Sequence, residues 1–149
     1  MLNYNNVLKD ELNHNGLSIR EISPVMKLNL RGKKREFFTT VGKNLNMILP
    51  TKANTSSVSE KLTSIWLSPD EWMIVSNETI QKDNNKYELE ESLYNNITKT
   101  NLGAVTDVTD QFVLLELKGE NIFELFASGS PFNFNEFKEK KGSATQTLL

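Results

Sequence analysis

One short pattern occurs twice in this chain and limits its fold more than any other feature. Leu28-Asn29-Leu30-Arg31-Gly32 matches Leu115-Glu116-Leu117-Lys118-Gly119. At the same offset Phe38 falls on Leu125, Gly42 on Gly129, Leu45 on Phe132 and Met47 on Phe134. Each copy alternates apolar and polar residues, breaks at a glycine, and then carries apolar residues at helical spacing up to a second glycine. Period-two alternation puts one side of a strand against a core, and glycine permits the tight turn that follows. The L-x-L-x-G match alone could arise by chance. The second glycine and the trailing apolar residues in register favour duplication. The repeat predicts a strand–turn–helix unit used twice, with residues 26–47 and 113–134 related by a pseudo-twofold axis.

The rest of the pattern fills in around these units. Residues 1–16 are polar and predict a mobile segment or a short helix. Leu17, Ile19, Glu21 and Ile22 begin a strand that Pro24 breaks. Met26, Leu28 and Leu30 share one face of a strand over 25–30, and Phe37, Phe38, Val41 and Leu45 predict an amphipathic helix over about 33–45. Residues 50–63 lack periodicity and predict a surface loop. Ile65–Leu67 and Trp72–Val75 flank Ser68-Pro69-Asp70-Glu71. Proline presets φ at the second turn position, so this segment predicts a hairpin with a type I turn. After a polar loop over 77–85, Asn85 and Glu88 are spaced as a capping box for a helix bearing Leu89, Leu93 and Ile97, with Tyr94 beside that face. Residues 104–109 and 112–118 predict two more strands, the second placing Leu115 and Leu117 in the core. Ile122, Leu125 and Phe126 mark a third helix, stopped by Gly129 and Pro131. The ββα order, repeated, predicts an α+β fold of mainly antiparallel sheets with single helices. Residues 17–149 are expected to form one domain after the polar segment 1–16.

Composition removes several kinds of chemistry. With no cysteine, this sequence offers no disulfide, thiolate nucleophile, iron–sulfur ligand or usual structural zinc site. The one histidine, His14, sits between Asn13 and Asn15 and is expected at the surface. A net charge of −2 implies no general affinity for nucleic acid or anionic membrane. No apolar run approaches the ~18 residues of a membrane span. Met1–Asn6 lacks the charged-then-apolar pattern of a secretory leader, so a cytoplasmic protein is expected. Asn54-Thr55-Ser56, Asn77-Glu78-Thr79 and Asn96-Ile97-Thr98 are then chance glycosylation matches in an Asn-rich chain.

Four groups of residues are candidate sites. Asp70 and Glu71 are adjacent acids on a turn; such neighbours diverge, and no His, Lys or Arg beside them in sequence tunes a pKa, so turn chemistry is the simpler reading. Trp66 and Trp72 could stack a planar ligand but more often fill a core. Asp107 and Asp110 flank a turn. Arg31, Lys33, Lys34 and Arg35 cluster at a helix start, where the helix dipole disfavours cations by a few tenths to about 1 kcal/mol each. That conflict points to an anionic partner surface, against the simpler reading of a solvated helix end. Arg31, Lys33, Lys34, Arg35, Asp70 and Glu71 are the candidate partner contacts. No phosphate loop, dinucleotide fingerprint or serine-triad motif is present. No catalytic, cofactor-binding or metal-binding residue is assigned.

Leu67-Ser68-Pro69-Asp70-Glu71-Trp72, then Gly103-Ala104-Val105-Thr106-Asp107-Val108-Thr109-Asp110 with Leu115–Gly119, then Thr145-Gln146-Thr147-Leu148, occur in this order. Together they resemble the gamma subunit of heterotetrameric sarcosine oxidase, over about Ser18–Leu149. The L-x-P-D-E-W hairpin is the most specific piece. The D-V-[ST]-D strand is shared with the wider aminomethyltransferase-like superfamily, which includes the glycine-cleavage T-protein. The resemblance implies a folate-binding-domain-like fold with related halves and a non-catalytic chain in a complex that converts sarcosine to glycine. It implies alpha, beta and delta subunits as partners, with FAD, covalently attached FMN, NAD and tetrahydrofolate all held by them. Two features depart from the family. Ser130 stands before Pro131 where members often carry cysteine, and the family pattern continues with at least another strand beyond Leu149, as though the chain were a fragment or a short homologue. Two other readings stay open: a free-standing folate-binding protein of the T-protein superfamily, whose iron–sulfur-assembly branch needs a cysteine, and an unrelated interaction module.

Overall fold

The structure is a computed structural model and describes residues 5–22, 24–80, 82–83, 85–138 and 140–148. Expectations resting on residues 1–4 and on Leu149 lie outside these. In chain order the strands are β1 (Leu12–His14), β2 (Leu17–Glu21), β3 (Lys27–Gly32), β4 (Ser56–Val58), β5 (Leu62–Ser68), β6 (Glu71–Ser76), β7 (Gly103–Asp107) and β8 (Leu115–Lys118). The α-helices are α1 (Arg35–Leu45), α2 (Glu88–Leu93), which runs on into a π-helical turn over Tyr94–Thr98, and α3 (Ile122–Gly129). The fold is α+β with two antiparallel sheets. The chain divides into a larger unit, Val25–Thr109 with Gly142–Gln146, and a smaller one holding the described residues of Met1–Pro24, Asp110–Lys141 and Thr147–Leu149.

The larger unit is built on a five-stranded sheet in the order β4-β5-β6-β3-β7. Leu28 and Leu30 of the inner strand β3 lie opposite Ile74 and Trp72 of β6, and opposite Asp107 and Val105 of β7. Their side chains, with those of Met26, Phe37, Val41, Trp72, Ile74, Leu93 and Ile97, are almost wholly excluded from solvent. Phe37, Val41 and Leu45 recur at helical spacing, which turns one face of α1 into this core. The helix does not stop at Gly42, as its place in the repeat suggests. It continues to Leu45 and ends on Asn46, whose left-handed backbone (φ 49°) returns its N–H to the Gly42 carbonyl; asparagine tolerates that conformation better than most residues.

Three other local expectations are corrected here. The capping box lies two residues later than Asn85–Glu88: the Tyr87 N–H donates to the Glu90 carboxylate at 3.3 Å, while Asn85 adopts φ 65° in the preceding turn. The loop over 50–63 contains β4, held on β5 with Ser56 opposite Ile65. The strands expected over 104–109 and 112–118 are shorter, β7 ending at Asp107 and β8 starting at Leu115, and they lie in different sheets.

The smaller unit carries a three-stranded sheet in the order β1-β2-β8. Part of the segment expected to be mobile or helical is therefore a strand. Asn15 (φ 46°) and Gly16 (φ 76°) join β1 to β2 with both turn residues left-handed, the two-residue turn whose twist suits a hairpin. Leu115 is 42% exposed and Leu117 only half-buried, contrary to their expected place in a core. β8 is an edge strand with one partner, and Phe134 is the one buried apolar side chain among the described residues of this unit. Phe134 stacks on Phe126 at 5.0 Å and meets Phe132 edge-on at 5.0 Å.

Candidate functional site

The end of β3 and the start of β7 meet at a pair of glycines, Gly32 opposite Gly103. The Phe37 ring occupies the space that a side chain on either glycine would need, and a Cβ on Gly103 would also strike the Arg31 carbonyl. Glycine is thus required at both positions for α1 to seat Phe37 against the sheet. Beside this pair lies an open hollow of about 540 Å³, lined by Arg31, Lys33, Lys34 and Asp70 from one side and by Asn101–Ala104 from the other.

Charge is distributed unevenly around the hollow. Glu71 takes two hydrogen bonds from β3: Asn29 Nδ2 donates at 2.8 Å and Arg31 Nη2 at 3.1 Å. Arg31 is thereby anchored at one end while its side chain remains 58% exposed. Lys33, Lys34 and Arg35 are exposed, and their side chains make no ion pair or hydrogen bond among the described residues. Lys34 is also the residue before α1, and no side chain caps that helix start. Asp70 serves its own turn: its carboxylate accepts from Ser68 Oγ at 2.9 Å and its carbonyl from the Gly32 N–H at 3.0 Å. Asp70 and Glu71 therefore diverge, one into the turn and one onto β3.

The other candidates have structural roles. Trp66 and Trp72 are cross-strand neighbours. Trp72 is 1% exposed, donates its indole N–H to the Pro50 carbonyl at 2.7 Å, and packs against the rings of Phe37 (5.8 Å) and Phe38 (5.3 Å). Protein all but excludes solvent from it, although it borders the small hollow beside Trp66. Trp66 is half-buried beside a hollow of about 230 Å³ that it shares with Phe38, Thr51 and Ala53.

Asp107 closes the turn after β7. Its carboxylate accepts from the Thr109 N–H at 2.9 Å and pairs with Lys82 Nζ at 2.6 Å. Burial pushes this carboxyl up, but the hydrogen bonds from Lys82 and from the Thr109 side chain and amide outweigh it and hold the group below its ordinary range. Asp110 and His14 are exposed.

Sequence reasoning missed the second wall of the hollow. Asn101 has a left-handed backbone (φ 56°), and Gly103 stands two residues on; an Asn and a Gly this close are a turn signal. It also missed Lys27, which is buried, with Nζ 3.3 Å from the carbonyls of Val25 and Thr109. Among the described residues no group of three or more His, Cys, Asp or Glu could hold a metal ion, and no helix is long and apolar enough to cross a membrane.

The same fold occurs in a chain of the heterotetrameric sarcosine oxidase from Corynebacterium sp. U-96, solved in complex with pyrrole 2-carboxylate: TM-score 0.72, 17% sequence identity, 89% of this chain covered. This chain spans 65% of the length of that one. No curated protein matches. Residues 32–147 match the family described as "Sarcosine oxidase, gamma subunit family". The chain belongs to that family, as the L-x-P-D-E-W hairpin and the D-V-T-D segment led one to expect.

Proposed function

We propose that this chain is the non-catalytic gamma subunit of a bacterial heterotetrameric sarcosine oxidase. It packs against alpha and beta subunits, in a complex that also contains delta. The flavin-bearing subunits would carry out the oxidative demethylation of sarcosine to glycine. FAD, FMN, NAD and tetrahydrofolate would reside on those partners, and the complex would work in one-carbon metabolism in the cytoplasm. The observation that carries this reading is the family match over residues 32–147. The shared fold with a chain of a heterotetrameric sarcosine oxidase supports it. So does the chemistry: taking electrons from an amine requires a redox cofactor, and no ordinary side chain replaces one. The absence of cysteine from this sequence also fits a chain whose contribution is packing.

The test is co-expression with alpha and beta subunits of a sarcosine oxidase, followed by affinity purification on this chain. Recovery of the flavoprotein subunits in fixed stoichiometry is the expected result. Purification of the chain alone, with the flavoprotein assembling and turning over normally without it, would refute the reading.

A further inference from the structure

We infer that the basic hollow at the β3–α1 turn is a docking site for a carboxylate-rich segment of a partner subunit. This rests on the subunit reading above and adds where, and by what chemistry, a partner engages. Four cations fall within five positions, Arg31, Lys33, Lys34 and Arg35, on a chain whose net charge is −2. Ordinarily such a cluster is balanced by nearby acids. Here Glu71 pairs with Arg31 and with none of the other three cations, Asp70 is committed to its own turn, Glu36 in the first turn of α1 forms no ion pair among the described residues, and Lys33, Lys34 and Arg35 have no side-chain partner among them. The cations also stand where the dipole of α1 disfavours them and favours an incoming anion. Gly32 and Gly103 line the hollow between the cations and Asn101, which stands on the β7 side.

The geometry favours an acidic peptide over a small phosphate ligand. A phosphate site gathers cations and backbone amides into a closed cradle. Here all four cations are exposed, Arg31, Lys33 and Lys34 lining the hollow and Arg35 next to them in sequence, and the hollow is open to solvent. A row of solvent-exposed charges acts mainly by steering: it raises the association rate with a complementary surface and loses that effect as salt screens it. The complementary surface for this row is a run of Asp and Glu.

The experiment compares wild type with the triple variant Lys33→Glu, Lys34→Glu, Arg35→Glu. It measures association with the alpha–beta flavoprotein at low and high salt by stopped flow. A control variant, Lys52→Glu with Lys61→Glu, reverses exposed charges elsewhere. Reversing exposed cations at a helix start relieves the dipole conflict, so folding is preserved; circular dichroism checks this. In a parallel arm, amide shifts of the isolated wild-type chain are followed with a hexaglutamate peptide and, separately, with inorganic phosphate.

The expected result is an association rate about tenfold lower or more for the triple variant at low salt, a difference that shrinks at high salt, and little change in the control. The peptide should shift amides in 33–36 and 101–104. If wild type assembles and the triple variant associates equally fast at low salt, the docking site is overturned and the subunit reading stands. If wild type does not assemble but the peptide shifts those amides, the docking site stands and the subunit reading fails. If neither occurs, both fail. Shifts with phosphate and none with peptide would overturn the acidic-segment proposal in favour of a small-anion site.

Discussion

In the larger unit Leu28 and Leu30 are wholly buried, whereas their counterparts in the repeat, Leu115 and Leu117, remain partly in solvent in the smaller unit. The order of strand and helix is the same in both copies, although α1 runs on to Leu45 and α3 stops at Gly129. β3 runs into α1 and β8 into α3, and α1 and α3 begin at equivalent positions, Arg35 and Ile122. What differs is the company each element keeps. β3 is flanked by β6 and β7, and α1 buries Phe37, Val41 and Leu45. β8 pairs with β2 alone, and α3 buries no residue although it carries Ile122, Phe123, Leu125 and Phe126. An alternating pattern selects a strand and a face, but burial depends on how many neighbours the topology supplies. A fully buried Leu or Phe contributes about 1.5–3 kcal/mol, so the larger unit holds most of the stabilising burial.

That contrast can be broken at its strongest point first. Trp72→Ala removes the largest fully buried side chain and leaves the Pro50 carbonyl without its indole donor. Urea denaturation is expected to show a loss of about 3–5 kcal/mol. A loss under about 1 kcal/mol would mean the core does not centre on the larger sheet.

The repeat itself supplies the next comparison. Leu28→Ala should cost about 2–5 kcal/mol, and Leu115→Ala at the equivalent position no more than about 1 kcal/mol. Equal costs would contradict the unequal burial of the two copies.

A smaller effect tests the glycine pair. Gly103→Ala brings a methyl group against the Phe37 ring and the Arg31 carbonyl, so one of them must move. The expected loss is about 1–3 kcal/mol, by thermal or chemical unfolding. Gly129→Ala in α3, where nothing lies near the added methyl, should be neutral or slightly stabilising.

The smallest effect depends on pH. The Asp107 carboxyl titrates below its ordinary value in the folded chain. Its contribution is therefore present above the unfolded carboxyl pKa of about 3.9 and is lost as pH falls through the lower folded value. Asp107→Asn should cost about 1 kcal/mol at neutral pH, a modest figure because Lys82 and Asp107 are both partly exposed. The difference between variant and wild type should vanish in strong acid. A cost that persists there would show that the Lys82 ion pair is not its source.

Legibility in the sequence followed the same division. The β5–β6 hairpin was readable because Pro69 fixes its turn, and α1 because Phe37, Val41 and Leu45 hold strict helical spacing. The β1–β2 turn was also readable, since Asn15-Gly16 is the usual residue pair for it, but the polar neighbours obscured β1, a strand of 3 residues, while β2 was read from Leu17 onward. β4 carries no apolar alternation; ladder hydrogen bonds to β5 make it a strand, and backbone pairing leaves no mark on side-chain pattern. The exposure of Leu115 was not readable, because alternation does not reveal whether a strand lies at a sheet edge. One wall of the basic hollow was visible as a run of Lys and Arg. The other, Asn101–Ala104, arrives only through the Gly32–Gly103 register, a contact between distant parts of the chain.

The proposal that this chain packs within an oxidase without performing its redox chemistry is tested most directly by absorbance spectra of purified material. The isolated chain is expected to be colourless and to consume no oxygen with sarcosine. The complex captured through it is expected to show the flavin bands and to be active. Stoichiometric flavin retained by the isolated chain would contradict the account.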